Sequence, residues 1–358
     1  MKCRCVLLLA ALVAASLVAL YPVSAQKVSV TTLPATSGGA TANLTFSKDG
    51  RMLREIQVVS GAGLGISRSV RGISYDTMTG LIRHVINLGS NTKFLSATPD
   101  GRTAIVLVGE DREDARAHLL LIDMVTERKQ EIPSSWFNAV DQGPYAQISA
   151  DGRLVSAYSE RGPESGPLVV TVYDWRTRKL VAKRSEGYPA GGISWGGVTE
   201  DGKIEFLNNR AGGDVVDPKT GRLLVKVGPN SHRSPDGAWV IEYPNPMFAE
   251  AAQGLIIKNG QRGEVVGRLD LQIAGEEGNW AWGRGAFCGM SGRFIASTND
   301  IVQAFEIPSG KEIADFPVAT WQDADAIKTD PTATVACSPN GKRVAIRSGA
   351  RLTLHDLN

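Results

Sequence analysis

Gly192-Ile193-Ser194-Trp195-Gly196 has the Gly-x-Ser-x-Gly spacing of a nucleophile elbow. That motif works only where a strand turns sharply into a helix and projects the serine oxygen toward a histidine. Here the chain runs on through Gly197-Val198-Thr199-Glu200 into Asp201-Gly202, a hairpin signal rather than a helical one, so Ser194 is not assigned as a nucleophile. The four histidines, His84, His118, His232 and His355, lie far apart, and no pair has the short spacing of a metal site. His84, His118 and His355 fall in strand-like runs. Gly61-Ala62-Gly63-Leu64-Gly65 is glycine-rich like a phosphate loop, but it lies between strand-like segments, with no helix N-terminus to hold an anion. Asp323, Asp325 and Asp330 could offer oxygens to calcium, yet the other positions of a calcium loop are missing. Glu276 and Glu277 could join Asp323 in acid/base work only if all three faced one cleft. No catalytic residue, metal ligand or cofactor is assigned.

The aromatic residues are distributed unevenly. Trp136, Phe137, Tyr145, Tyr188, Trp195, Trp280, Trp282 and Trp321 include five of the seven tryptophans. All precede the innermost strand of a structural repeat and so belong to the connections between repeats. Trp175 and Trp239 lie elsewhere. Tryptophan gives a large contact area at little entropic cost, which favours it at binding hot spots and as a platform for sugars or peptides. The expected binding residues are therefore Trp136, Tyr188, Trp195, Trp280, Trp282 and Trp321. The opposing reading, that these rings cap the core between repeats, stands beside this one.

The repeats that must position these residues are marked by a turn dipeptide: Asp49-Gly50, Asp100-Gly101, Asp151-Gly152, Asp201-Gly202, Asp236-Gly237, Ser291-Gly292 and Asn340-Gly341, spaced 51, 51, 50, 35, 55 and 49 residues apart. Glycine tolerates positive φ and the Asx side chain bonds the turn backbone, so each dipeptide marks a hairpin tip between two short apolar runs. A second signature follows, an apolar strand ending in an acidic residue and a turn: Tyr75-Asp76, Ile122-Asp123, Tyr173-Asp174 and Val216-Asp217, with Ile307 before Ser309-Gly310 in the sixth repeat. One more strand then completes the repeat. Four strands in each of seven repeats predict an all-β chain folded as a seven-bladed β-propeller of four-stranded antiparallel blades. The short fourth spacing implies a trimmed fourth blade. The seventh repeat supplies only three strands before the chain stops, and Val28 to Leu33 has the β-branched, alternating character to supply the fourth and close the ring. A flexible lead-in is the alternative for that segment.

Ser234-Pro235-Asp236-Gly237, Thr98-Pro99-Asp100-Gly101 and Ser338-Pro339-Asn340-Gly341 resemble the WD40-like β-propeller repeats of the bacterial, Ser-Pro-Asp-Gly type. The resemblance spans residues 42–358. It implies a propeller but no particular activity, because such propellers serve as scaffolds, receptors and enzymes. No blade ends in Trp-Asp and no histidine opens a blade, which implies a looser, prokaryotic-type member.

Lys2, Arg4, the apolar run from Val6 to Leu20 and the small residues Val23-Ser24-Ala25 read as an export signal over residues 1–25. The expected mature chain is secreted or periplasmic and begins at Gln26, with a lead-in over 26–41 and one propeller domain over 42–358. An uncleaved anchor is the rival reading, against which Pro22 and the small residues argue. Cys3 and Cys5 precede the apolar run, so no lipid anchor is expected. Of 39 basic residues, losing Lys2 and Arg4 leaves 37 against 37 acidic ones. That balance suggests neither a nucleic-acid partner nor, after cleavage, a membrane, both of which call for basic excess. Cys288 and Cys337 lie three residues before tips in neighbouring repeats, either bonded or as two buried small apolar side chains. The expected function is a non-enzymatic interaction module for a protein, peptide or glycan; the alternative is a propeller enzyme such as a lactonase or quinone-dependent oxidoreductase.

Overall fold

The computed structural model describes residues 30–34, 40–60, 68–109, 118–133, 136, 144–159, 168–186, 194–208, 212–228, 230–243, 254–271, 284–297, 301–318 and 333–357. The first strand, β1 (Val30–Leu33), is followed by blade 1: β2 (Ala40–Phe46), β3 (Met52–Ser60), β4 (Arg68–Asp76) and β5 (Ile82–Ser90). Blade 2 holds β6 (Thr92–Ala97), β7 (Thr103–Val108), β8 (His118–Asp123) and β9 (Lys129–Ile132). Blade 3 holds β10 (Pro144–Ile148), β11 (Leu154–Ser159), β12 (Leu168–Asp174) and β13 (Lys179–Glu186). Blade 4 holds β14 (Ser194–Val198), β15 (Ile204–Asn208), β16 (Gly212–Val216) and β17 (Leu223–Val227). Blade 5 holds β18 (Asn230–Arg233), β19 (Trp239–Tyr243), β20 (Leu255–Asn259) and β21 (Val265–Leu269). Blade 6 holds β22 (Arg284–Phe287), β23 (Arg293–Ser297), β24 (Ile301–Glu306) and β25 (Glu312–Pro317). Blade 7 holds β26 (Thr334–Cys337), β27 (Arg343–Ser348) and β28 (Arg351–Asp356). Each forms one antiparallel sheet, and β1 joins the seventh as its outer strand.

The tips form because one side chain closes each turn. In blade 1, Gly50 at φ 72° donates its N–H to the Ser47 carbonyl. The Ser47 hydroxyl donates to Asp49 at 2.6 Å and accepts from the Met52 N–H, while Asp49 accepts from the Arg51 N–H. The same hydroxyl-to-Asx bond recurs as Thr98–Asp100, Ser149–Asp151, Thr199–Asp201, Ser234–Asp236 and Ser338–Asn340. This side-chain closure satisfies backbone donors that a turn would otherwise leave open. The second turn of each blade lies on the same face, since the Thr77 N–H reaches the Arg51 carbonyl and the Met124 N–H the Arg102 carbonyl. The connections between blades therefore leave from the opposite face.

Apolar packing is divided among the seven blade junctions, one cluster to each. At the junction where the ring closes, β1 pairs residue by residue with β28, from Val30 opposite His355 to Leu33 opposite Leu352. Leu33, Leu354, Phe46 and Tyr75 pack there. A buried ion pair crosses the same seam: Arg347 Nε lies 3.3 Å from Glu55 Oε1, and the Tyr75 hydroxyl donates to Glu55 at 2.9 Å. The pair is enclosed, at 4% and 0% exposure, so removing one partner would strand the other charge. At the junction of blades 6 and 7, Cys288 and Cys337 form a disulfide. Cys288 occupies the place that Ser or Thr takes in the other tips; there the Ser291 hydroxyl and N–H close the turn on the Cys288 carbonyl, at 2.7 and 3.1 Å, while the Cys288 sulfur is tied to blade 7. In blade 4 the trimmed connection spans only residues 209–211, and Gly212 and Gly213 are strand residues.

Candidate functional site

Each tip carries one residue between its Ser, Thr or Cys and the following position. Those seven residues, Lys48, Pro99, Ala150, Glu200, Pro235, Gly289 and Pro339, converge on the mouth of the central channel. The cavity they enclose has a volume of about 750 Å³ and continues down the inner strands past Asn43, Thr45, His232, Ala286 and Val335. Because every tip is pinned by its own hydrogen bonds, the rim is preorganised, and a ligand would lose little entropy in ordering it.

Most charged groups near this rim are already committed. Asp100 and Asp151 also line the cavity, but both accept from their own turns: Asp100 from Thr98 and the Arg102 N–H, and Asp151 from Ser149 and the Arg153 N–H. Although its partial burial opposes the charge, the Ser149 and backbone bonds together with nearby Arg153 hold the Asp151 carboxyl below its ordinary range. Arg233 pairs with Asp201 at 3.2 Å and donates to the Gly260 carbonyl at 3.1 Å. Lys48 and Glu200 differ. Both are exposed at the rim, and no hydrogen bond or ion pair to a described residue holds either side chain. Surrounding protein, and then the neighbouring Asp201 charge, push the Glu200 carboxyl up to about 7. Burial likewise pushes Glu205, on β15, up to about 7, against the pull of Arg233.

The residues singled out from sequence fall in several places. Ser194 opens β14 and pairs with Asn208, so a strand follows it where a nucleophile elbow needs a helix. His84, His118 and His355 lie in β5, β8 and β28 of three different blades. His232, not expected in a strand, lies in β18 and lines the cavity, its ring 5.5 Å from that of Tyr243 and 5.8 Å from that of Phe294. Trp136, expected among the exposed aromatics, is instead buried between blades 2 and 3. It stacks on Tyr173 at 4.1 Å, meets Trp175 edge-on at 5.8 Å and is 9% exposed. The cause is the short outer strand of blade 2: β9 ends at Ile132, and the turn that closes on Trp136 brings its ring back over β12, where the Thr171 hydroxyl donates to its carbonyl. Trp195 lies in β14 opposite Leu207, at the end of the strand remote from the tip. Tyr188, Trp280, Trp282 and Trp321 lie outside the described residues, as do Gly61–Gly65, Glu276, Glu277, Asp323, Asp325 and Asp330.

The ring of rim residues carries its own sequence signal, passed over when the tips are read only as turns: the position after each tip Ser, Thr or Cys faces the channel.

No protein-family model matches this chain, and no curated protein sequence matches it. Among solved structures the fold is widely shared. A chain in the crystal structure of the mitotic checkpoint complex superposes with a TM-score of 0.57, over 94% of each chain, at 13% identity. At that identity the likeness shows the fold alone.

Proposed function

We propose that this chain is an exported, non-enzymatic propeller of the bacterial WD40-like type that presents binding faces to a protein, peptide or glycan. The observation that carries this reading is the rim itself, seven turns locked by their own side chains around an open cavity of about 750 Å³. The titratable groups around it are mostly engaged in holding those turns. A propeller of this fold that works within a protein complex is a precedent for such use. By sequence, Tyr188, Trp280, Trp282 and Trp321 belong to the connections between repeats, and with Trp195 of β14 they are the aromatic residues assigned to partner contact in this reading. Export is supported by the N-terminal signature and by the Cys288–Cys337 disulfide, since such bonds persist in oxidising compartments.

The test has two parts. N-terminal sequencing of the product recovered outside the cytoplasm should read Gln26 as its first residue; an intact Met1 would point to a retained anchor. Affinity purification with the chain lacking residues 1–25, from its native envelope, should co-purify one partner in stoichiometric amount. Turnover of a lactone or a quinone-coupled substrate by the pure protein would overturn the non-enzymatic reading.

A further inference from the structure

Among the described residues, the rim holds two charged side chains of opposite sign without partners, on well-separated walls. Lys48 belongs to blade 1 and Glu200 to blade 4, three blades apart in a ring of seven. Pro99, Pro235 and Pro339 fill much of the rim between them, giving rigid apolar contact surface with no backbone donor of its own. Nearby charges leave this arrangement intact. Asp201, beside Glu200, is paired with Arg233 of blade 5, and on the blade 3 side Asp151 is turned into its own hairpin with Arg153 at 3.9 Å.

A ligand of a single charge would be drawn by one wall and repelled by the other, whereas a dipolar one gains at both. Resting on the interaction-module reading, we propose that the tip-face mouth of the channel docks a short extended peptide segment bearing one basic and one acidic side chain a few residues apart. The basic group meets Glu200, the acidic group meets Lys48, and apolar atoms between them lie on the prolines. Lys48 and Glu200 thus fix the direction in which the segment lies. The Glu200 carboxyl, raised to about 7 in the empty mouth, would be held charged by a bound cation, so binding takes up no proton, releases a fraction of one, and tightens as pH rises through neutrality.

The experiment uses the chain lacking residues 1–25 and labelled synthetic peptides carrying a Lys and a Glu in either order, with Lys-only, Glu-only and uncharged controls, read by fluorescence anisotropy. Peptides with both charges in one order should bind roughly tenfold tighter than every control, as gaining a complementary pair allows. Lys48→Glu and Glu200→Lys should each erase that preference, and the double reversal should restore it for peptides of the opposite order. Glu200→Gln should remove the pH dependence. Equal binding of dipolar and uncharged peptides, or a preference unmoved by either reversal, overturns the proposal. If the partner from the native envelope is captured equally by wild type and Glu200→Lys, the interaction-module reading survives and only this docking mode falls. Melting curves of each variant separate lost contacts from lost folding.

Discussion

The junction between blades 2 and 3 and the junction between blades 4 and 5 do the same mechanical work with different materials. The first packs Ile105, Leu107, Leu119, Ile132 and Ile148 around Trp136, with Tyr173 and Trp175 against it. The second has four buried valines, Val215, Val225, Val227 and Val240. What it lacks in apolar area it makes up in polar links: Arg233 to Asp201, the Gly228 N–H to Glu242 at 2.7 Å, and Lys258 to the same carboxylate at 2.6 Å. Apolar burial is insensitive to pH and forgiving of geometry, while a buried polar network is neither. Beside the Arg233–Asp201 pair of this sector, burial raises the Glu205 carboxyl to about 7, which makes blade 4 sensitive to pH near neutrality. Glu200 stands on the rim of that sector.

Truncation at the apolar junction should have the largest effect. Trp136→Ala removes a large buried ring and its stacking on Tyr173, and should cost about 3–5 kcal/mol in denaturant unfolding; a loss below about 1 kcal/mol would mean that blades 2 and 3 do not depend on it. Replacing both Cys288 and Cys337 by Ser frees blade 6 from blade 7 and should cost about 2–4 kcal/mol, an effect that reductant should reproduce in the wild type. Arg233→Ala, at the polar junction, leaves Asp201 without its partner and should cost about 1.5–3 kcal/mol, and less in high salt.

The smallest effect, and the one that separates the two junctions most cleanly, is pH dependence. Hydrogen bonds within the turns hold Asp49, Asp174 and Asp217 below their ordinary values. Their contribution is present above the unfolded value of about 3.9 and lost as pH falls through the lower folded values. Glu205 is shifted the other way by burial, up to about 7. Its folded form holds the proton more tightly, so its contribution is full below about 4.3 and lost as pH rises toward 7. The melting temperature should peak in mildly acidic solution, and the double variant Glu200→Gln/Glu205→Gln, which removes both raised carboxyls, should flatten the fall toward pH 8 while Trp136→Ala leaves the shape of the profile unchanged. A profile flat from pH 5 to 8 in the wild type would contradict the polar account of blade 4.

The fold was legible because each hairpin tip carries a local chemical demand: glycine where φ is positive, and an Asx oxygen to close the turn. Blade 6 carries the weakest version, Ser291-Gly292, because Cys288 takes the Ser/Thr place and the Ser291 hydroxyl closes the turn on the Cys288 carbonyl instead; the Cys288–Cys337 bond is visible in the sequence only as an open alternative, since spacing alone cannot bring two sulfurs together. His232 escaped because β18 is four polar residues, Asn-Ser-His-Arg, with no apolar alternation to mark a strand. Trp136 misled because its segment does precede an inner strand, and only the early end of β9 turns its ring inward. The rim is present in the sequence as the residue after each tip Ser, Thr or Cys, but recognising it requires knowing that seven turns share one channel.

The most direct test of the interaction-module account is capture of the native-envelope partner by wild type and by Trp280→Ala/Trp282→Ala, each with its melting curve. Both indoles belong to the connection between blades 5 and 6, whose glycines and Glu276-Glu277 suit an exposed loop. The account predicts that the double variant melts with the wild type and loses at least about 2 kcal/mol of binding, enough to abolish capture. A double variant that melts early would place both rings in the core, and one that captures the partner undiminished would remove the aromatic face from the binding surface.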